Sequence, residues 1–371
     1  MKTVLRGLGT ATPPLYVTQE EAYEFFTTQC TLAPAEAELY RRILLGGTIR
    51  GRHLGMEAKA DALDTDRDRL LARFLKFGRA TAVAAARRAL AEAGVTAADI
   101  TGLIVNTCTG YLCPGLSSYV AADLGLRTAI DFQDLMGMGC GAAVPNLEAA
   151  AGLLARRGAG PVLSVAVEIC SATIFPSHEP EQAVSNCLFG DGAAAAVLAE
   201  PQPDRPGGLA HLLDFASGLF PQYREDLRYR TEGGRLRNRL SKRVPLIGAR
   251  TVAEVASRLL ARHQLSRHDI AWWAVHPGGT LVLDQVAKEL GLDQQALRFS
   301  YQVFEEYGNM SSPSALFVLR QILDAGRPQP GQKGLLLAFG AGFSAFAALL
   351  EFTAAAAEVH PRTGSASGVR P

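Results

Sequence analysis

Residues 97–110, Ala97-Ala98-Asp99-Ile100-Thr101-Gly102-Leu103-Ile104-Val105-Asn106-Thr107-Cys108-Thr109-Gly110, decide the fold, because a later stretch repeats their plan. That stretch is Arg267-His268-Asp269-Ile270-Ala271-Trp272-Trp273-Ala274-Val275-His276-Pro277-Gly278-Gly279. Each follows the end of a helical run (Leu90-Ala91, Leu260-Ala261), turns, enters a short apolar strand and leaves through a glycine-bearing loop. The next elements repeat as well. Cys140-Gly141 leads through Pro145 into an Ala/Leu-rich helical run, and Gly308-Asn309 leads through Pro313 into another, Ser314 to Leu323. Proline is tolerated in a first helical turn, where its missing N–H has no partner to lose. Strand-like segments close each half: Val162 to Val167 and Ala193 to Leu198, then Leu335 to Phe339 and Ala345 to Leu350. Alternating strands and helices predict an α/β protein with a largely parallel sheet flanked by helices.

Working outward, the halves are expected at residues 1–200 and 208–353, joined through the Pro/Gly-rich stretch Glu200 to Gly208. A small, polar tail, 354–371, is expected to be disordered. The chain has 371 residues, 48% of them hydrophobic and 20% charged, enough to bury a sizeable core. With 37 basic and 36 acidic residues the net charge is +1, so no global field draws it to nucleic acid or an anionic membrane. The N-terminus lacks the apolar stretch of a signal peptide. The uncharged run Gly334 to Leu350, interrupted by glycines, reads as two buried strands around a turn rather than a membrane span. Six cysteines without C-x-x-C spacing or a tight Cys/His cluster argue against a zinc site, and point to reduced thiols in the cytoplasm.

Three residues stand where such folds place chemistry, beyond the C-terminal ends of strands. Cys140, flanked by Gly139 and Gly141, sits at a helix start, where N–H groups and the helix dipole favour thiolate. A buried structural cysteine is the equal alternative from local sequence. His276 ends a strand and suits a base or an oxyanion donor, against a structural histidine. Asn309 offers an amide donor, against a plain helix cap.

Together the contexts Gly139-Cys140, His276-Pro277-Gly278-Gly279 and Tyr307-Gly308-Asn309-Met310-Ser311-Ser312 resemble the type III polyketide synthases of the chalcone and stilbene synthase superfamily. Leu188-Phe189-Gly190-Asp191-Gly192-Ala193-Ala194 is similar to that family's glycine-rich turn, and the likeness runs from about residue 3 to 352. The resemblance implies a thiolase-like fold, duplicated βαβαβαββ halves in five αβαβα layers. It implies that Cys140 carries an acyl chain while His276 and Asn309 steady the enolate left when malonyl-CoA loses CO2. It also implies that His276 helps hold Cys140 ionised, and that no metal, flavin or nicotinamide is needed. An acyl-CoA starter, malonyl-CoA and a second copy of the chain are the implied partners.

By the same likeness Phe189, Cys108, Cys170, Thr173, Gly278, Phe339 and Gly340 line the cavity, and Cys113 crosses into the partner's cavity. CoA phosphates are assigned to Arg41, Arg42 and Arg50, with Arg52 a further option, since Gly46 falls where a lysine is usual. Two departures stand out. Asn238 occupies a gate position that is usually aromatic, in the arginine-rich stretch Gly234 to Pro245, which is expected to be a solvated surface near the CoA entrance. Ala341 replaces the proline of a C-terminal wall loop. The missing aromatic and the small cysteines predict a roomy pocket and an alkylpyrone, alkylresorcinol or small aromatic product. The competing readings are a fatty-acid-initiating ketoacyl synthase and a catalytically silent partner subunit.

Overall fold

The structure, a computed structural model, describes residues 3–156, 160–201 and 208–357. The first half runs β1 (Thr3–Ala11), β2 (Leu15–Thr18), α1 (Gln19–Gln29), α2 (Pro34–Leu44), β3 (Gly51–Leu54), α3 (Arg67–Ala93), β4 (Gly102–Asn106) and α4 (Leu116–Leu124). It continues through β5 (Asp131–Leu135), α5 (Ala143–Leu154), β6 (Val162–Ile169), α6 (Pro180–Leu188) and β7 (Asp191–Ala199). The second half runs β8 (Ala210–Leu219), β9 (Leu227–Glu232), β10 (Arg235–Leu240), α7 (Val244–Arg262), β11 (Ile270–Val275) and α8 (Thr280–Leu290). It closes with α9 (Arg298–Tyr307), α10 (Ser314–Gln321), β12 (Lys333–Gly340), β13 (Ser344–Phe352) and α11 (Ala354–Ala357).

The predicted repeat is visible in the hydrogen bonds. Strand β4 lies parallel to β6, which pairs antiparallel with β7, which pairs antiparallel with β1. Strand β11 lies parallel to β12, which pairs antiparallel with β13, which pairs antiparallel with β8. Even the turns into β4 and β11 match: Asp99 accepts from the Thr96 N–H and Asp269 from the Ser266 N–H, both at 2.7 Å. Thr3–Leu5 pair with Ala210–Leu212, joining the halves into one nine-stranded sheet.

The second half departs from the expected βαβαβαββ order by lacking a third strand. Where the first half extends as β5, Asp293 accepts from the Ala296 N–H at 2.8 Å, closing a turn that leads into α9. A side chain that bonds its own backbone competes with strand pairing, and no β-branched residue lies in this stretch to oppose it.

Strand alternation builds five layers. On β7, Ala193, Ala195 and Val197 face α3, whereas Ala194, Ala196 and Leu198 face a central layer containing α5 and α10. On β12, Leu336 and Ala338 join that central layer, while Leu335, Leu337 and Phe339 face α7 and α8. Strands covered on both faces read as continuous apolar runs, which is why Gly334 to Leu350 imitated a membrane span. No helix among the described residues is long and apolar enough to cross a membrane.

Two local findings correct the sequence reading. Ala354–Ala357 form a helical turn with Ala356 buried in the central core, so the tail does not begin at residue 354; residues 358–371 lie outside the described residues, as do residues 202–207 of the expected linker. Strands β9 and β10 form a hairpin that was not anticipated. Its two-residue turn, Gly233-Gly234, takes φ of 57° and 75°, conformations that favour glycine and match hairpin twist.

Candidate active site

Cys140 occupies a single 3-10 turn, Gly139–Gly141, ahead of α5. This turn is backed by main chain. A Cβ on Gly340 would lie 2.0 Å from the Met138 carbonyl oxygen, and one on Gly139 would lie 2.9 Å from the Ala341 nitrogen. The Ala338–Gly342 loop therefore supports the cysteine turn through glycine contacts that survive the loss of proline at 341.

The second half brings the other residues. His276 ends β11, buried, with its N–H donating to Leu337 and its ring edge-on to Phe339 at 5.9 Å. Asn309 is held by its backbone between Leu188 and Gly190, forming an isolated bridge with Phe189. Its side-chain oxygen accepts from the Ser311 N–H at 2.8 Å, which aims Nδ2 toward the Gly278 carbonyl, 3.5 Å away.

Ser311 joins the halves. It holds φ of 60°, a left-handed conformation that is strained for serine, and such residues concentrate at functional sites. Its Oγ donates to Cys140 Sγ at 3.3 Å and lies 3.6 Å from Cys108 Sγ. Below it, the buried Glu168 carboxylate accepts from Ser312 Oγ at 2.8 Å, the Cys108 N–H at 2.9 Å and Thr109 Oγ1 at 2.9 Å. The chain continues through Asn106, which donates to Ser312 Oγ at 2.8 Å, to Asn146, which donates to Asn106 at 2.8 Å. Burial raises the Glu168 carboxyl, and these donors oppose that rise. The roles of Glu168, Ser311 and Ser312 escaped sequence reasoning. The available signal was a carboxylate inside the otherwise uncharged strand Val162–Ile169.

Burial acts on both the thiol and the imidazole. Burial pushes the Cys140 thiol up to about 12, against help from the Ser311 hydroxyl and its own N–H. Burial also lowers His276 to about 3, and its Nδ1 has no partner among the described residues. Both shifts act against a thiolate–imidazolium pair, because desolvation disfavours the charged form of each group.

Cys108 and Cys170 have thiols raised well above their ordinary range by burial, next by Glu168 at Cys108 and by Asp191 and Glu168 at Cys170. Thr173 donates to the Cys170 carbonyl at 2.8 Å. Into this group comes an unanticipated aromatic, Tyr229. It sits opposite Asn238 in the hairpin, hydrogen-bonds with Thr173, and has its phenol raised well above normal by burial and by Cys170 and Cys108. The gate stretch has no aromatic of its own, but the facing strand supplies one, so the roomy pocket inferred from Asn238 is narrowed. Beyond Thr109 and Ala172 lies a cavity of about 480 Å³, walled by Leu70, Leu71 and Phe74.

Other assigned residues lie apart. Cys113 is exposed before α4. Arg41 is exposed and paired with Glu38 at 2.8 Å, Arg42 is exposed beside it on α2, and Arg50 lies between Glu305 and Glu306. Arg52 cannot meet a surface phosphate. It is fully buried and donates to the carbonyls of Asn186 and Phe189, each at 2.7 Å.

Comparison with known proteins agrees with this geometry. Residues 15–215 match the family model described as FAE1/type III polyketide synthase-like protein, and residues 215–352 match chalcone and stilbene synthases, C-terminal domain. The chain is 32% identical over 355 residues to a 3,5-dihydroxyphenylacetyl-CoA synthase of Streptomyces toyocaensis, covering 93% of this chain and 89% of that protein. It is 32% identical over 351 residues to a 1,3,6,8-tetrahydroxynaphthalene synthase of Streptomyces peucetius subsp. caesius, covering 94% and 93%. The crystal structure of a 1,3,6,8-tetrahydroxynaphthalene synthase from Streptomyces coelicolor A3(2) superposes with a TM-score of 0.86 at 28% identity, covering 94% of this chain and 99% of that one.

Proposed function

The chain belongs to the type III polyketide synthases of the chalcone and stilbene synthase family, and from that premise we propose that it builds a small aromatic polyketide from malonyl-CoA, carrying the chain on Cys140. That membership sets aside the ketoacyl synthase and silent-subunit readings. The observation that supports an aromatic product is Tyr229, a half-buried aromatic beside Cys108, Cys170 and Thr173 that takes up space a long acyl starter would need. The names of the two Streptomyces relatives point the same way.

In the proposed cycle, Cys140 Sγ attacks the starter thioester while the neutral His276 imidazole takes the thiol proton and returns it to the departing CoA sulfur. A second malonyl-CoA loses CO2, and the electron pair passes to its C2 and thioester oxygen. Asn309 Nδ2 and His276 donate to that oxygen; one such donor contributes about 2.7–4 kcal/mol to the rate. C2 then attacks the Cys140 thioester, the C–S bond breaks, and the chain, longer by two carbons, rests on CoA before returning to Cys140. No metal or redox group enters this cycle. We place the enzyme in the cytoplasm, where its six free thiols remain reduced.

A homodimer is proposed from β5. That strand ends the sheet with its outer edge unpaired, and Phe132 upon it is 66% exposed. An open edge bearing a large apolar residue invites a second strand.

A second reading, an alkylpyrone or alkylresorcinol product from a long acyl starter, is favoured by the Leu70, Leu71 and Phe74 side of the 480 Å³ cavity, whose remaining wall includes Arg67, Asp68 and Arg235. Incubation with malonyl-CoA alone and with acyl-CoA starters from acetyl to long-chain, with products identified by mass spectrometry, separates the two. An aromatic product from malonyl-CoA alone, lost in Tyr229→Ala, supports the first. Turnover only with long starters overturns it.

A further inference from the structure

A chain of buried polar side chains crosses the central layer from α5 to the site. Asn146 on α5, Asn106 at the end of β4 and Ser312 ahead of α10 are each fully buried. The layer around them is packed with Ala143, Leu147, Ala150, Ala315 and Leu316. Replacing paired buried polar groups by apolar ones of the same shape is often close to neutral for stability, so two amides here call for a reason other than packing.

Main chain fixes the direction of every bond in this chain. Asn146 Nδ2 donates to the Val165 carbonyl at 3.0 Å and to Asn106 Oδ1 at 2.8 Å, while Asn146 Oδ1 accepts from Ser164 Oγ at 2.7 Å. A carbonyl only accepts, so the Asn146 amide group must face Val165, and the Asn106 atom beside it must be oxygen. The Asn106 nitrogen is thereby turned to Ser312 Oγ, 2.8 Å away. Ser312 accepts that bond and has one hydrogen left, which goes to Glu168 Oε1 at 2.8 Å. Glu168 Oε2 takes the Cys108 N–H at 2.9 Å, Thr109 Oγ1 at 2.9 Å and Thr107 Oγ1 at 3.2 Å. Ser311 stands at the end of the chain with one hydrogen. Its Oγ lies 3.3 Å from Cys140 Sγ, 3.5 Å from Glu168 Oε1 and 3.6 Å from Cys108 Sγ. Because Ser312 already supplies Oε1, the Ser311 hydrogen is left for the nearest sulfur.

We propose that Asn106, held by Asn146, is a positioning residue for the nucleophile: through Ser312 it keeps Glu168 Oε1 occupied and so reserves the Ser311 hydroxyl hydrogen for Cys140 Sγ. The inference rests on the reading of Cys140 as the residue that carries the acyl chain. A hydrogen bond to the charged form of a group favours that form, so the Ser311 donor favours the thiolate that attacks a thioester. The ionisable groups around this sulfur are Glu168 on β6, Cys108 after β4 and Cys170 after β6, with the His276 imidazole in the proposed cycle. Of these, Glu168 opposes the thiolate through its charge. Without the Asn106 amide the Ser312 hydroxyl is free to rotate away, and Glu168 Oε1 draws the Ser311 hydrogen. The sulfur then loses its side-chain donor and keeps the carboxylate nearby.

The test is the rate at which iodoacetamide alkylates Cys140, followed across pH 7 to 9 and assigned to that residue by peptide mass spectrometry. In Asn106→Leu, which keeps the size and removes the amide, the rate falls about tenfold at every pH, the size expected for losing a charge-assisted hydrogen bond. Ser312→Ala gives the same fall through a smaller change, should Asn106→Leu fold poorly. Ser311→Ala falls as far, and Asn106→Leu added to it brings no further fall, because the relay has already lost its last member. An undiminished rate in either variant that folds, or a further fall in the Ser311→Ala background, overturns the proposal. A purely structural role predicts the opposite sign, since loosened packing exposes the thiol and speeds alkylation. The reaction consumes no thioester, so the relay can fail in an enzyme that makes polyketides and hold in one that does not, and the two failures remain distinguishable.

Discussion

The loop after β4 holds Thr107-Cys108-Thr109-Gly110, and the loop in the same place after β11 holds His276-Pro277-Gly278-Gly279. Likewise, the first half enters its central helix α5 through Cys140, and the second enters α10 through Asn309, Ser311 and Ser312. The backbone plan is one, down to the matching Asp99 and Asp269 caps; only the side chains at strand ends and helix starts differ. What the duplication teaches is a division of labour. In the proposed cycle one half offers the sulfur and the other offers donors to a developing oxyanion, and Ser311 touches Cys140 and Cys108 of the first half from the second.

The sharpest way to break this comparison is to exchange the importance of the two thiols. Cys140→Ala should lower product formation at least about a thousandfold, as loss of a nucleophile does, and abolish the acyl adduct seen by intact-protein mass spectrometry. Cys108→Ala should keep the adduct, and an adduct that followed Cys108 instead would reverse the assignment. Next in size, His276→Ala and Asn309→Ala should each slow release of CO2 from malonyl-CoA by about 100- to 1000-fold, the usual cost of an oxyanion donor, while Cys140 still loads. Loading that failed as badly as decarboxylation would blur the division.

Glu168→Leu tests the polar floor on which the halves meet. It strands the donors of Ser312, Thr109 and the Cys108 N–H, and should cost about 3 kcal/mol of stability, read as a lowered Tm. A variant as stable as the parent would show that the floor is not strained by its loss. The raised Cys140 thiol makes a pH prediction. With Cys140 raised to about 12, its alkylation by iodoacetamide should climb about tenfold per pH unit through pH 7 to 9 without a plateau, since only the thiolate reacts. A plateau near pH 6 would reveal an ion pair instead. Smallest for chemistry, Phe132→Glu should shift the oligomer toward monomer in light scattering, because only the first half has the third strand that exposes this edge.

Much of the fold was legible because it is written in short range. Val162–Ile169 and Lys333–Gly340 announce buried strands, Thr96 and Ser266 announce turns, and glycines mark the loops. The Cys140, His276 and Asn309 contexts were legible for the same reason, since each lies within a few residues of its signal. Ser311 and Glu168 were not, because their meaning depends on contacts between segments far apart in sequence. Tyr229 was missed because the gate was sought along one strand, although the Gly233-Gly234 turn places Tyr229 and Asn238 at equal distances from it. The burial that raises the Cys140 thiol was not legible either, because a helix start is visible in sequence and desolvation by distant segments is not.

The seam between β1 and β8, three residue pairs long, joins the half that holds Cys140 to the half that holds His276 and Asn309. Since sulfur and donors come from opposite sides of that seam, a jaw-like opening of the two halves would pull the reacting groups apart.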